Sequence, residues 1–299
     1  MFSYRHAFHA GNHADVLKHM VMLQLLQYMG QKDTAYMVID THAGAGLYTL
    51  DTGYAAKSAE HENGITRLWD KTDLPSALND YREAIRAFNA GNKLRHYPGS
   101  PFLADWAMRE QDRLRLFELH PSDSLILEDN FRQVEAQRSS GGRGKRVVIQ
   151  KADGFGGLKA LLPPPSRRAL VLIDPPYEDK SDYRRVKEAL EEALKRFPTG
   201  VYAIWYPVLQ RPESRQLPEK LKKLGIPWLH VTLSIGMPSP DGFGLHSSGM
   251  FVLNPPWTLQ NILKESMSYL VKALAKDNGA KFILEAGEGT AAKPRSDRR

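Results

Sequence analysis

The sequence of 299 residues contains no cysteine, so disulfide bonds and thiolate metal sites are excluded. It also contains no apolar run of the length that a membrane span needs. Residues 1–11 include Arg5, His6 and His9, where a signal peptide would have an uninterrupted apolar core. We therefore expect a cytoplasmic protein without a membrane partner. His9 and His13 have no acidic ligand at a metal-binding spacing, so we expect no metal.

The first half of the chain has no net charge. Lysine and arginine balance aspartate and glutamate over residues 1–150, and the whole net charge of +7 falls on residues 151–299. Such an excess is compatible with a polyanionic partner, because Lys and Arg neutralise phosphates and drive sequence-independent binding to nucleic acids. Many proteins of similar charge bind no nucleic acid, so the charge alone does not decide the function.

Four short apolar runs are each followed by an acidic residue. Runs of this length, separated by helix-like segments, predict the buried strands of a parallel α/β sheet. The carboxyl ends of parallel strands meet at one edge, where ligands bind in open α/β sheets. The residues predicted to share this edge are Asp40 to Gly46, Glu118, Asp153 with Gly154, and Asp174. Their convergence predicts a ligand site.

The turn Asp174-Pro175-Pro176-Tyr177 follows the fourth apolar run. Proline lacks an N–H and fixes its own φ, so two consecutive prolines stop the strand and hold a rigid extended turn. Asp174 and the Pro175 carbonyl then offer two acceptors to a flat amine such as the exocyclic amino group of a nucleobase, and Tyr177 offers an aromatic face. A proline-rich turn with a purely structural role is the alternative.

A glycine-rich turn containing Gly44 and Gly46 follows the first apolar run and lets a backbone approach a ligand closely. It lacks the third glycine of the dinucleotide fingerprint, which disfavours a nicotinamide-dependent dehydrogenase. An acidic residue that accepts hydrogen bonds from ribose hydroxyls usually follows such a glycine turn at a fixed spacing. Glu118 has roughly that spacing if residues 47–99 are an insertion and are left out of the count. Asp153 and Gly154 are placed to face an adenine ring.

The chain divides into one main domain, an insertion and a tail. We predict that residues 1–46 and 100–276 form the main α/β domain and that residues 47–99 form a small helical insertion. We predict that residues 277–299 form a disordered tail, because the end of the chain is rich in glycine, alanine and arginine without an apolar period. Asn12 predicts the start of an amphipathic helix that ends at Gly30.

A second proline turn, Asn254-Pro255-Pro256-Trp257, is a rival catalytic site. It follows the last strand of the main domain, which the pattern predicts to be antiparallel. Such a strand ends at the opposite edge of the sheet, so we favour a structural role for this turn.

The motifs in their order resemble those of the RlmJ family, which has a Rossmann-like class I methyltransferase fold. The segments that carry the resemblance are the opening Tyr-Arg-His-x-Phe-His-Ala-Gly-Asn-His-Ala-Asp-Val-Leu-Lys-His, then Asp-Thr-His-Ala-Gly-Ala-Gly, Tyr-Pro-Gly-Ser-Pro, Glu-Leu-His-Pro, Lys-Ala-Asp-Gly and Ile-Asp-Pro-Pro-Tyr. The resemblance covers residues 1–257. It implies methylation of adenine N6 in large-subunit (23S) ribosomal RNA with S-adenosylmethionine as the methyl donor.

The resemblance also implies roles for particular residues. Asp174 would be catalytic, supported by Pro175 and Tyr177, and Tyr4 and Lys18 would contact the RNA. The residues expected to bind S-adenosylmethionine are His19, His42, Gly44, Ser100, Glu118, Asp153, Gly154 and Asp174. We expect a monomer that acts on protein-free or early-assembly RNA.

Other functions remain open from the sequence. The alternative acceptors are cytosine N4, guanine N2 and adenine in DNA, each of which also offers an exocyclic amine. A different class of function is a non-catalytic RNA-binding protein that retains the methyltransferase fold.

Overall fold

The computed structural model describes residues 5–137, 146–239 and 244–289. The α-helices in these ranges are α1 (His13–Gly30), α2 (Gly53–Ser58), α3 (Thr66–Trp69), α4 (Ser76–Arg86), α5 (Ser100–Ala107), α6 (Pro121–Gln137), α7 (Gly154–Leu161), α8 (Ser181–Arg196), α9 (Pro212–Lys222) and α10 (Leu259–Leu274). The strands are β1 (Met37–Asp40), β2 (Leu47–Thr49), β3 (His96–Pro98), β4 (Arg113–Phe117), β5 (Val147–Gln150), β6 (Ala169–Ile173), β7 (Val201–Pro207), β8 (Trp228–Ser234), β9 (Ser247–Leu253) and β10 (Lys281–Gly287).

Eight strands form one sheet in the order β10-β8-β9-β7-β6-β1-β4-β5. The strands from β7 to β5 are parallel, whereas β9 runs antiparallel between β7 and β8. Every residue of β6 is buried, because β1 and β7 flank it and a central parallel strand has both faces covered. The predicted α/β sheet is confirmed, and β1, β4, β5 and β6 end at the same edge.

Helix α1 is buried on all sides over most of its length. Its start is as predicted, since the Asn12 side chain accepts hydrogen bonds from the N–H groups of Ala14 and Asp15. Residues 13–26 are buried without exception, because α1 packs against α4, α5, α10, β6 and β9. The predicted amphipathic character is therefore wrong. Five charged or polar side chains on this helix lie inside the protein, namely His13, Asp15, Lys18, His19 and Gln24.

The prediction of a helical insertion at residues 47–99 is only partly correct. Besides α2, α3 and α4, the segment contains β2 and β3, which pair with each other in a small antiparallel sheet. Ile65 donates its N–H to the Gly11 carbonyl at 2.9 Å. The hydroxyls of Tyr81 and Tyr97 lie 2.9 Å apart in the interior. The first contact joins the segment to the loop before α1, and the second joins α4 to β3 within the segment.

Strand β10 corrects the prediction of a disordered tail from residue 277 onward. Lys281–Gly287 pair with β8 in antiparallel register, from Lys281 opposite Ser234 to Gly287 opposite Trp228. The strand forms because β8 is otherwise an edge strand with unpaired main-chain groups. Residues 290–299 of the predicted tail lie outside the described residues.

The turn Asn254-Pro255-Pro256-Trp257 lies at the edge of the sheet opposite Asp174, as predicted. Leu253 pairs with Tyr202 near the start of β7, so β9 ends where the parallel strands begin. The Asn254 amide donates to the carbonyls of Pro198 and Gly200 at 2.8 and 2.7 Å. These bonds fix the turn to the loop before β7, which is a structural role. The described residues contain no helix both long and apolar enough to span a bilayer.

Candidate active site

A cavity of about 780 Å³ lies over the edge of the sheet where β1, β4, β5 and β6 end. Its walls come from the predicted strand ends, from α1 and from the start of α8. All eight residues expected to bind the methyl donor line it, namely His19, His42, Gly44, Ser100, Glu118, Asp153, Gly154 and Asp174. The parallel register explains this, because it brings strand ends far apart in sequence to one place.

The glycine turn after β1 is held against Glu118. Gly44 donates its N–H to one Glu118 oxygen and His120 donates its N–H to the other, both at 2.7 Å. Gly44 has φ +61°, and a Cβ there would come within 2.6 Å of the Tyr48 hydroxyl, so the turn requires glycine. Burial raises the pKa of Glu118. Its carboxylate still has lone pairs for two further donors, such as ribose hydroxyls.

Ser100 begins α5 and binds the end of β1. It is not the N-cap, which is Gly99; its hydroxyl instead donates to Asp40 at 2.6 Å. Asp40 also accepts the N–H of His42 at 3.2 Å. Burial raises the pKa of Asp40 to about 6, and the hydrogen bonds from Ser100 and His42 oppose that rise. Asp40 therefore holds Ser100 and His42, which line the cavity, in place.

His19 and His42 stand on the wall as neutral imidazoles. Burial lowers the pKa of each to about 3. The Nδ1 of His19 lies 2.7 Å from the Tyr97 hydroxyl, while its buried Nε2 has no partner within the described residues. The Nδ1 of His42 lies 2.8 Å from the Thr41 hydroxyl, and its ring meets Phe155 edge-on at 5.0 Å. Tyr97 is a site residue that the sequence interpretation did not identify.

Asp174 forms an ion pair with Lys18. The Lys18 ammonium lies 2.6 Å from Asp174 Oδ2 and 3.0 Å from Asp15 Oδ1, and the residue is only 4% exposed. Burial opposes the charge, but Asp15 and Asp174 outweigh it and raise the pKa of Lys18. The ammonium is thus held by two carboxylates of the protein. The contact of Lys18 with RNA stays a prediction, although the sequence gave no signal that this lysine is buried and paired with two carboxylates.

Tyr177 does not present an aromatic face to the cavity. It is 2% exposed, and its hydroxyl donates to the Trp205 carbonyl at 2.8 Å. Its backbone has φ +54°, which turns the side chain inward against the rings of Tyr183 and Trp205. The predicted stacking role is therefore wrong in this conformation. Pro175 is buried as the rigid first member of the turn, and Pro176 is the exposed residue of the turn that lines the cavity.

Asp153 and Gly154 form the far end of the cavity. Gly154 begins α7 where any side chain would collide with the backbone of Thr41, since a Cβ would lie 2.1 Å from its carbonyl oxygen. Asp153 Oδ1 accepts a hydrogen bond from the Arg185 guanidinium at 2.9 Å. Tyr4, the other predicted RNA contact, lies outside the described residues. Within the described ranges, no group of three or more His, Asp or Glu side chains is arranged to hold a metal ion.

A parallel sheet with this strand order, a glycine turn after its first strand and an Asp-Pro-Pro turn after its fourth parallel strand is a Rossmann-like class I methyltransferase fold. The family model described as ribosomal RNA large subunit methyltransferase D, RlmJ, matches residues 33–284. The chain therefore belongs to this family of ribosomal RNA methyltransferases.

Individual relatives support the assignment. The chain is 45% identical to the ribosomal RNA large subunit methyltransferase J of Haemophilus influenzae, over 95% of this chain and 98% of that protein. It is also 45% identical to the protein of that name in Escherichia coli, over 90% and 93% of the two chains. A crystal structure from Legionella pneumophila is similar with a TM-score of 0.82 at 33% identity, covering 93% of this chain and 98% of that one.

Proposed function

We propose that this chain transfers a methyl group from S-adenosylmethionine to N6 of an adenine in 23S ribosomal RNA. The family supports ribosomal RNA methylation. The observation that carries the proposal is the position of Asp174 and Pro176, on the wall of the same cavity as the other seven expected cofactor residues.

The cavity fits the proposed cofactor. Its volume lies within the range of about 300–1,000 Å³ that is usual for small-molecule sites. More carboxylates than cations line the cavity. The cations are Lys18, Lys180 and Arg185. The carboxylates are Glu118, Asp123, Asp153, Asp174, Glu178, Asp179 and Asp182. An excess of negative charge favours a ligand that carries a sulfonium and an ammonium group. When bound, the cofactor supplies an electrophilic methyl group on sulfur.

Each expected contact has a chemical basis in the residues present. Glu118 accepts from ribose hydroxyls with the lone pairs that Gly44 and His120 leave available. Asp153 accepts from the exocyclic amine of the adenine ring, beside the wall formed by His42 and Phe155. His19 lines the cavity and its buried Nε2 makes no hydrogen bond within the described residues, so a hydrogen bond from a bound ligand to this nitrogen would remove the cost of leaving it unsatisfied.

Asp174 acts on the amino group of the target adenine. Because Lys18 binds Oδ2, we assign Oδ1 and the Pro175 carbonyl as the acceptors for the two N6 hydrogens. Two acceptors placed out of the plane of the base favour a pyramidal nitrogen, whose lone pair is more nucleophilic. After transfer the nitrogen is strongly acidic, and its proton leaves towards Asp174 or solvent.

The target adenine must leave its stack to reach Asp174, as in other enzymes that modify a base. Pro176 lines the cavity and offers an apolar surface to the extruded base, since Tyr177 is buried. Tyr4 remains a predicted RNA contact from the family resemblance. We further propose a cytoplasmic monomer that acts on protein-free or early-assembly RNA; light scattering of the purified protein checks the oligomeric state.

Labelled methyl transfer to protein-free large-subunit ribosomal RNA from a strain lacking the gene tests the proposal. We expect label in N6-methyladenosine by nucleoside mass spectrometry. Asp174→Asn should lose most turnover while still binding the cofactor, and Asp129→Asn, which alters an exposed ion pair on α6, should keep full turnover.

Other outcomes identify the alternatives. Label in N4-methylcytidine or N2-methylguanosine would contradict adenine as the acceptor and keep the methyltransferase. Label in DNA alone would contradict the ribosomal substrate. No label on any of these together with no binding of S-adenosylmethionine by titration calorimetry would indicate a non-catalytic RNA-binding protein.

A further inference from the structure

Arg185 connects the adenine end of the cavity to the helix that follows the catalytic turn. It lies on α8, and its guanidinium Nη2 is 2.9 Å from Asp153 Oδ1. Its Nη1 lies 3.5 Å from Asp182, and the guanidinium sits 4.6 Å above the Phe155 ring. These three contacts hold one half-buried side chain in a defined place on the cavity wall.

The contact with Asp153 restricts what that carboxylate can do. Asp153 is itself half-exposed, so without a partner its side chain would rotate between several conformers. Arg185 occupies Oδ1, which leaves the lone pairs of Oδ2 for a ligand. A carboxylate oxygen only accepts hydrogen bonds at neutral pH, so it favours an amine on the ligand and disfavours a carbonyl oxygen.

We propose that Arg185 is a positioning residue that fixes Asp153 for the adenine ring of the cofactor and thereby sets the preference for an adenosine over an inosine nucleoside. The inference rests on the proposed function, because it assigns Asp153 to the 6-amino group of S-adenosylmethionine. Arg185 acts through Asp153 and touches neither the methyl group nor the RNA base.

The test compares two neighbouring arginines by titration calorimetry. Arg184 is exposed and pairs only loosely with Glu188 on the same helix, so Arg184→Met is a matched control for Arg185→Met. The probes are S-adenosylhomocysteine and S-inosylhomocysteine, which differ in having an amino group or an oxygen at position 6. Wild type and Arg184→Met should prefer the adenosine form, and Arg185→Met should bind it about fivefold to tenfold more weakly, the usual effect of one oriented hydrogen bond.

Two further measurements separate positioning from other effects. In Asp153→Ala, adding Arg185→Met should cause no further loss of affinity, because Arg185 acts only through that carboxylate. In turnover assays, Arg185→Met should raise KM for S-adenosylmethionine and leave kcat and the KM for RNA near those of Arg184→Met. Arg185→Lys keeps the charge without the planar fork, so its KM for S-adenosylmethionine should lie between those of Arg185→Met and Arg184→Met.

Several results would overturn the inference. If Arg185→Met bound each of the two nucleosides as tightly as Arg184→Met does, Arg185 would not position Asp153. An increase in the KM for RNA with unchanged cofactor affinity would assign Arg185 to the RNA instead. If wild type bound neither nucleoside, the proposed function itself would fail along with this inference, and that result differs from both of the others.

Discussion

Replacing Lys18 by methionine tests the buried ion pair beside Asp174, the proposed catalytic carboxylate. Lys18 and Asp174 are 2.6 Å apart, and Lys18 also pairs with buried Asp15 at 3.0 Å. Removing the ammonium leaves Asp174 without its paired cation, while Asp15 keeps the contact with His6 at 3.0 Å and the N–H of Gly11. Breaking a buried pair from one side costs about 3–5 kcal/mol in the free energy of unfolding. We expect a loss of that size in urea unfolding followed by circular dichroism.

A surface pair of the same length provides the control. Lys187 and Glu191 on α8 are also 2.6 Å apart, but their side chains are 33% and 42% exposed. Lys187→Met should cost less than about 1 kcal/mol, because solvent already screens that pair. If Lys18→Met and Lys187→Met had equal effects on unfolding, the reasoning from burial would be refuted.

The double variant Lys18→Met with Asp15→Asn separates stability from turnover. Removing one negative charge together with the positive one leaves a single unpaired carboxylate, so part of the lost stability should return. Asp174 still lacks the donor that holds Oδ2, so turnover should stay low. Recovery of full turnover in the double variant would mean that Lys18 only stabilises the fold.

Three other predictions concern residues around the site and the ends of the sheet. Tyr177→Phe removes only the hydrogen bond to Trp205, so unfolding should cost about 1 kcal/mol less while turnover persists; loss of turnover at unchanged stability would instead give the Tyr177 hydroxyl a role in the reaction. Asn254→Ala loses two hydrogen bonds at φ +53°, so the melting temperature should fall with turnover per folded molecule unchanged, and complete loss of turnover would make that turn the catalytic one. Stability should also fall as the pH drops below about 6.5, because three buried histidines have folded pKa values near 3 or 4 and bind protons only after unfolding. These are His13, His19 and His42. Asp40, with its pKa raised to about 6, opposes them, which leaves about two protons taken up on unfolding near pH 5.5 and a slope of about 2.7 kcal/mol per pH unit. A flat stability profile between pH 5 and 6.5 would contradict those assignments.

The sequence predicted the parts of the fold that local patterns determine. Short apolar runs ending in acidic residues gave β1, β4, β5 and β6, and the parallel rule then placed their ends together. This is why all the expected cofactor residues line one cavity. Spacing alone did not distinguish His19 and His42 from other histidines; only the family resemblance did.

The sequence predictions that failed concern segments whose surroundings are formed by residues distant in the sequence. A helix with polar residues at regular positions looks amphipathic, yet α1 is covered on every side by elements from the whole length of the chain. Tyr177 points inward because its φ is positive and Trp205 offers a carbonyl, neither of which the Asp-Pro-Pro-Tyr pattern reveals. Strand β10 forms because a distant edge strand is available to pair with it.

The central position of α1 gives the enzyme a dependence on complete synthesis. This helix is synthesised before β9 and α10, yet it packs against both. Until those are made, its apolar surface has no partner and Lys18 has no fixed place beside Asp174. A prematurely terminated chain would thus retain most of its site residues and still have no assembled cavity, so unfinished copies would neither hold the methyl donor nor compete for RNA.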